Sequence, residues 1–193
     1  MRDVTTQNFG LLIAYVLPGL TVLWGASPHA ETLQSWLGAI PGEVPTVGGF
    51  LYATLASVAV GVIANTVRWL VVDRIHHATG ILRPKLDFSR LHDRVAAYDF
   101  FNRHHYEHYQ AHGNMLVGLV FVYIARRLQS GSPSTFGVID LGYVLLGAVL
   151  FAGSRDTLRK FYTRAEAVLS DEKIGPKSPE GQQSHSKPAD RTI

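Results

Sequence analysis

Histidines are concentrated in one short stretch of the chain, residues 102–114, which reads NRHHYEHYQAHGN. Imidazole nitrogens can bind a metal ion, gain a proton near neutral pH, or anchor a helix end at a membrane surface. His104, His108 and His112 are four residues apart. On a helix that spacing corresponds to about 6 Å, and twice the spacing to about 12 Å. One ion can therefore be bound by only one neighbouring pair of the three.

The chain around this stretch has the composition of a multi-pass membrane protein. Charged residues make up 17% of its 193 residues, against roughly 25% in soluble domains, and long apolar runs alternate with basic stretches. Cysteine is absent, which excludes disulfides, thiolate metal ligands and cysteine nucleophiles. The formal net charge of +3 is too small to indicate a nucleic-acid partner. In a membrane protein, the distribution of Lys and Arg residues indicates the topology of the chain.

Four apolar segments are candidates for crossing a bilayer, which takes about 20 apolar residues of helix. They cover about residues 9–26, 46–70, 111–128 and 135–154. Pro18 and Gly19 lie in the middle of the first span and predict a kink, because proline lacks a backbone donor and clashes with the preceding turn. The expected fold class is therefore all-α, an integral membrane protein with four transmembrane helices.

The distribution of Lys and Arg orients these spans. The segment before the first span has one such residue, residues 68–103 have seven, and the region after Ser154 has eight, whereas the turn between the third and fourth spans has two. Because cytoplasmic loops are enriched in Lys and Arg, both termini are expected in the cytoplasm. The lack of cysteine and the compact architecture suit the inner (plasma) membrane of a bacterium.

Helices 2, 3 and 4 are expected to continue beyond the bilayer into a cytoplasmic helical layer. The second helix has no breaker before about His77, the third begins near Asp87 or Ser89, and the fourth carries an apolar stripe beyond its span. An apolar stripe outside the membrane needs a partner, within this chain or on another protein. Residues 1–170 thus form the membrane domain with its extensions, and the polar residues 171–193 predict a disordered tail.

The second span has small or polar residues at every fourth position. They are Gly49, Ala53, Ser57, Gly61 and Asn65. Small residues in this pattern allow another helix to approach closely, either from the same chain or from a second copy in a homo-oligomer. Arg68 and Trp69 follow the pattern, and both residue types suit the headgroup zone, where an arginine side chain extends towards water.

Three interpretations of the histidines follow from this topology. The metal-site hypothesis combines one pair from the 102–114 stretch with the end of the second helix, and its residues are His76, His77, His104, His108 and His112. This one-sided placement resembles membrane desaturases and hydroxylases, whose histidine boxes hold two irons at the inner face; the H-x-x-x-H spacing occurs here but an H-x-x-H-H box does not. A pH sensor is the second interpretation. Interfacial anchoring is favoured, because the stretch directly precedes the third span.

No other catalytic pattern is present, since the sequence lacks G-x-S-x-G, a Walker loop, G-x-G-x-x-G and H-E-x-x-H. The leading hypothesis is a non-catalytic membrane protein, either an oligomeric channel or a membrane-anchored signalling or scaffold component. Its partners would be the lipid bilayer, further copies of itself and a cytoplasmic protein. The alternative is a metal-dependent membrane enzyme that acts on lipid at the cytoplasmic face. The sequence does not identify a cofactor.

Overall fold

The described part of the chain is entirely helical. The computed structural model describes residues 10, 12–38, 40, 46–130 and 136–169, and no β-strand occurs within them. The α-helices are α1 (Leu17–Ala26), α2 (Glu31–Trp36), α3 (Val47–Ala78), α4 (Leu91–Phe101), α5 (Glu107–Gln129) and α6 (Val138–Leu169). The shorter elements are π-helical turns at Leu12–Val16 and Asn102–Tyr106 and 3-10 turns at Ser27–His29 and Phe88–Arg90. The all-α prediction is confirmed for these residues, and the tail predicted to be disordered lies outside them.

Pro18 marks an irregular point in the first helix. It is the second residue of α1, and α1 directly follows the π-helical turn Leu12–Val16. Proline has no N–H to donate to the carbonyl four residues earlier, and its ring crowds that carbonyl. The wider π-helical turn relieves this crowding. The helix type therefore changes where Pro18 and Gly19 predict a kink, and the carbonyl of Ala14 lacks its ordinary helical donor.

The first helix and α3 approach each other to backbone contact. A Cβ atom on Gly61 would lie 2.1 Å from the carbonyl oxygen of Tyr15, and one on Gly19 would lie 1.8 Å from the carbonyl oxygen of Ser57. Both distances are far shorter than van der Waals contact, so these two positions require glycine. The partner of the small-residue pattern is thus the first helix of the same chain.

The buried face of α3 changes register towards its end. The first four residues of the pattern are buried, whereas Asn65 is half-buried and Ala64 is buried instead. Four residues exceed one helical turn by about 40°, so a strict four-residue pattern rotates away from its partner. The buried face therefore steps back by one residue and continues through Arg68, Val72 and His76.

α5 lies between the first helix and α6. On one side, a Cβ atom on Gly118 would lie 3.3 Å from the carbonyl oxygen of Pro18. On the other side, the rings of Tyr123 and Tyr143 are 5.3 Å apart. The helices thus follow the lateral order α3, α1, α5, α6, and α3 also contacts α5 directly.

The ends of α3 and α6 form a further layer with α4 and the π-helical turn before α5, here called the extension layer. α3 ends at Ala78, one residue past the expected end. Gly80 then adopts a positive φ of 100°, a conformation that favours glycine, and the chain reverses there. Ile81 packs with Tyr109 and Leu158 in the apolar core of this layer. The stripe of α6 that faces this core comprises Leu158, Phe161, Ala165 and Leu169, all buried.

The third predicted helix is less regular than its sequence indicated. The side chain of Asp87 accepts the backbone N–H of Ser89 at 3.0 Å, which is the capping interaction expected there. Arg94 then leaves the helical region with φ −129°, and the π-helical turn Asn102–Tyr106 separates α4 from α5. The expectation of one uninterrupted α-helix is therefore wrong. Neither distortion contains a proline or a glycine, the residues from which a break in a helix is usually predicted.

Two of the described helices, α3 and α6, are long and apolar enough to cross a membrane. Only 28% of the most apolar 18-residue window of α3 is buried, and 11% of that of α6. A core helix of a soluble protein would be mostly buried, so these apolar faces require another apolar medium or partner. The described residues thus form a helical protein in which two helices are compatible with a membrane.

Candidate functional site

α3 carries three ionisable side chains on its buried face near its end. Arg68 is 2% exposed, Asp73 is 9% exposed and His76 is fully buried. Arg68 was expected to extend into the headgroup zone, and that expectation is wrong. Removing a charged group from water is costly unless a partner compensates it. These three residues and their partners on α5 and α6 therefore form the candidate site, here called the polar cluster.

Tyr109 of α5 brings the two charged members of the cluster together. Its hydroxyl donates a short hydrogen bond to Oδ1 of Asp73, and Nη1 of Arg68 lies 3.4 Å from the same oxygen. The guanidinium carbon of Arg68 lies 4.5 Å from the centre of the tyrosine ring, a cation–π distance. Burial raises the pKa of the Tyr109 hydroxyl far above its usual value, so the hydroxyl remains a donor.

Gly113 provides the space that the arginine occupies. A Cβ atom at this position would lie 2.6 Å from Cδ of Arg68 and 3.5 Å from Oγ of Ser154. The side chain from α3 therefore crosses the backbone of α5 and approaches α6 because residue 113 has no side chain. Three helices meet at this point, so the cluster fixes their relative positions.

His76 and Ser154 form the second part of the cluster. Nε2 of His76 lies 3.0 Å from Oγ of Ser154, and the imidazole packs on the ring of Phe151 at 4.8 Å. A serine and a histidine at this distance can form a nucleophile and base. Here both residues are fully buried, and Nδ1 of His76 has no hydrogen-bond partner among the described residues. The pair therefore lacks both access for a substrate and the orienting carboxylate of a triad.

Asn114 ties the cluster to the irregular first helix. Its Nδ2 donates to the carbonyl oxygen of Ala14 at 2.6 Å, the carbonyl that Pro18 leaves without its helical donor. Asn114 is fully buried, and in such a place an unpaired carbonyl would cost about 1–3 kcal/mol. The bond thus offsets the effect of the proline and joins α5 to the first helix.

The hydrogen bonding of the cluster is incomplete. Within the described residues, Nε and Nη1 of Arg68, Oδ1 of Asn114 and Oδ1 of Asn65 make no hydrogen bond. Nη1 of Arg68 is nevertheless within ion-pair distance of Asp73, so its attraction to the carboxylate is electrostatic without good hydrogen-bond alignment. Among the described residues, the ion pair with Asp73 and the packing of the guanidinium on the Tyr109 ring therefore hold Arg68 in place.

The two histidines at the end of α3 have separate local partners. His76 contacts Ser154, as described above. His77 donates from Nδ1 to the carbonyl of Ile81 at 2.8 Å, and its Nε2 accepts from Nε of Arg83 at 3.0 Å. Both nitrogens of His77 are thus engaged with the chain that follows α3.

Two histidines of the 102–114 stretch form hydrogen bonds with carbonyls of their own helix. Nδ1 of His104 lies 3.2 Å from the carbonyl oxygen of Phe100, and Nδ1 of His112 lies 2.6 Å from that of His108. In the part of the chain that the structure describes, no three His, Asp or Glu residues are arranged to hold a metal ion. The residues of the metal-site hypothesis are therefore not brought together.

His105 contacts α6 from the π-helical turn. Nε2 of His105 lies 2.6 Å from Nη1 of Arg164, so the neutral imidazole accepts a hydrogen bond from the guanidinium. Burial lowers the pKa of His105, and the positive charge of Arg164 lowers it further. The contact thus depends on an unprotonated histidine.

Comparison with family models, with curated proteins and with solved structures finds no match for this chain. Of the cluster, the sequence singled out only His76 as a candidate site residue. Asp73, Tyr109, Asn114 and Ser154 were missed, although Arg68, Val72 and His76 at four-residue spacing continue the small-residue face of α3 and mark it as buried.

Proposed function

We propose that the chain is a four-span inner-membrane protein with both termini in the cytoplasm, and that it acts as a non-catalytic scaffold or signalling component. The single observation that carries this proposal is the enclosed polar cluster of Arg68, Asp73 and Tyr109. It lies where the apolar helices join the extension layer, and all three side chains are buried. A cluster of this kind couples two layers mechanically but presents no reactive group to a substrate.

The membrane location is supported by the apolar faces of α3 and α6, because the rest of the protein covers only a small part of them. α1 contains no charged residue and packs between α3 and α5, so a bilayer that surrounds α3 and α6 would also enclose it. The Lys and Arg distribution then favours cytoplasmic termini. The extension layer, with its arginines and histidines, lies on the cytoplasmic side in this arrangement.

The extension layer offers apolar side chains to a partner. Phe88, Val95 and Phe100 are more than half exposed, although they lie outside the predicted spans. Exposed apolar groups on a polar layer are typical of protein contact sites. They therefore support a role in binding another protein, which fits a scaffold or signalling component.

The two other functions fit the geometry less well. A channel needs an open path, but the glycine contacts of Gly19 and Gly61 bring the helix backbones together, so a pore would have to form between copies of the chain. A metal-dependent enzyme needs converging ligands, and four of the five candidate histidines form hydrogen bonds with separate neighbours. They are His76, His77, His104 and His112.

A metal and cross-linking experiment tests the proposal. The purified full-length protein is assayed for iron and zinc, and a photo-reactive amino acid replaces Val95 or the exposed Lys160 in cells. The proposal expects less than stoichiometric metal and a discrete cross-linked protein from position 95 that position 160 does not give. Stoichiometric metal that is lost in His108→Ala would support the enzyme instead, and identical cross-linking from both positions would remove the support for a contact surface.

A further inference from the structure

A basic cleft lies beside the polar cluster, between α6 and the chain that follows α3. It has a volume of about 670 Å³. Four cationic residues line it, together with Glu166, Tyr162 and Thr163. The cations are Arg83, Lys85, Arg155 and Arg159.

Two of the four cations are held in place by neutral groups. Nη2 of Arg155 donates to the carbonyl oxygen of Thr79 at 2.8 Å. Nε of Arg83 donates to Nε2 of His77 at 3.0 Å, and that imidazole is itself fixed by the carbonyl of Ile81. A guanidinium group has five N–H donors, so both arginines keep further donors for a ligand. They are oriented before any ligand arrives, which lowers the entropic cost of binding.

In the part of the chain that the structure describes, no carboxylate neutralises the cations of the cleft. Within the described residues, none of the four cations forms an ion pair with a carboxylate. Glu166 lines the cleft without pairing closely with any of them. Cations grouped in this way repel one another, and an anion with several acceptor oxygens would relieve that repulsion. A phosphate group matches the fork-shaped donors of two arginines.

We propose that this cleft binds the phosphate of an anionic lipid headgroup in the cytoplasmic leaflet. The inference rests on the proposed membrane topology, in which Arg155 directly follows the fourth span. Leu82 lies next to Arg83 at the cleft and is 84% exposed. An apolar side chain beside a phosphate site suits a ligand with an acyl chain better than free phosphate. Basic pockets beside membrane helices on the cytoplasmic side bind anionic headgroups in this way.

Native mass spectrometry of the full-length protein in detergent tests the inference. Phosphatidylglycerol and phosphatidylcholine are titrated separately against the wild type and two double variants. Lys85→Gln with Arg159→Gln removes two cleft charges that make no bond to a described residue. Arg74→Gln with Lys160→Gln removes two exposed charges elsewhere. We expect the cleft variant to bind phosphatidylglycerol roughly 10- to 30-fold more weakly, and the control to change less than about twofold.

A charge-conserving variant and inorganic phosphate complete the experiment. Lys85→Arg with Arg159→Lys should keep the preference for phosphatidylglycerol, which separates loss of charge from loss of fold. Equal weakening in both Gln double variants, or equal binding of the two lipids to the wild type, would overturn the inference. So would displacement of phosphatidylglycerol by millimolar phosphate, which would assign the cleft to a free anion. Resistance of the protein to carbonate extraction is measured in parallel, so that failure of the membrane location is distinguished from failure of the lipid site.

Discussion

The side-chain amide of Asn114 donates to the carbonyl oxygen of Ala14 across 2.6 Å, although the two residues are 100 positions apart in the chain. Pro18 explains why this carbonyl needs a distant donor, since a proline four residues later has no N–H to give. Asn114 of α5 thus supplies the hydrogen bond that Pro18 of the first helix cannot donate. Such compensation makes their energetic effects interdependent, which a double-mutant cycle can measure.

We expect Asn114→Ala to lower the free energy of unfolding by about 1–2 kcal/mol, because it removes a buried hydrogen bond and leaves the Ala14 carbonyl unpaired. In the Pro18→Ala background the same change should cost less, since the alanine N–H can serve that carbonyl. Unfolding of the purified protein in mixed micelles measures all four variants. Strictly additive effects of the two substitutions would contradict the proposed compensation.

Gly61→Ala should destabilise the fold by at least about 1–3 kcal/mol, the usual cost of overpacking, because its Cβ atom would lie 2.1 Å from the carbonyl oxygen of Tyr15. Gly48→Ala is the matched control in the same helix, as no atom lies within 4 Å of a Cβ atom there. That control should be neutral or slightly stabilising, because alanine favours helix. Thermal unfolding of the two variants should therefore change in opposite directions or by clearly different amounts.

Asp73→Asn should cost about 3–5 kcal/mol, because it leaves the Arg68 guanidinium buried without its counter-charge. The control is Asp156→Asn, whose Lys160 partner is closer, at 2.6 Å, but the pair is more than half exposed. Exposed ion pairs contribute about 0–1 kcal/mol. Burial rather than distance should thus decide the order of the two effects in an unfolding titration, and similar losses would contradict this account of the cluster.

The extent of the helices α3 and α6 could be predicted closely from sequence, whereas the polar cluster could not. The uncharged run of α3 and its unbroken continuation fixed its end to within one residue of Ala78, because both signals are local. The position of Arg68 depends on Gly113, 45 residues further along the chain, and nothing near Arg68 in sequence reports that space. The π-helical turn Asn102–Tyr106 has no local signal either, so the register of the histidine stretch was not predictable.

Acidification should weaken the fold through His105. Its pKa is lowered in the folded protein, so below the usual value of about 6.5 the unfolded chain takes up a proton that the folded chain resists. The stabilisation is fully present above that value and is lost as the pH falls from it through the lower pKa of the folded protein. We expect the fall in melting temperature between pH 7.5 and 5.5 to be smaller in His105→Gln than in the wild type. His29→Gln, at an exposed site distant from Arg164, should keep the wild-type pH dependence.

The side of the membrane reached by three single cysteines tests the central claim most directly, because the natural chain contains no cysteine. Thr32→Cys, Ser130→Cys and Glu166→Cys are labelled in intact cells with a membrane-impermeant maleimide and again after lysis. Four spans place Thr32 and Ser130 outside and Glu166 inside. We therefore predict labelling of the first two in intact cells and of the third only after lysis. Labelling of Glu166 in intact cells, or labelling of Thr32 or Ser130 only after lysis, would contradict the four-span account.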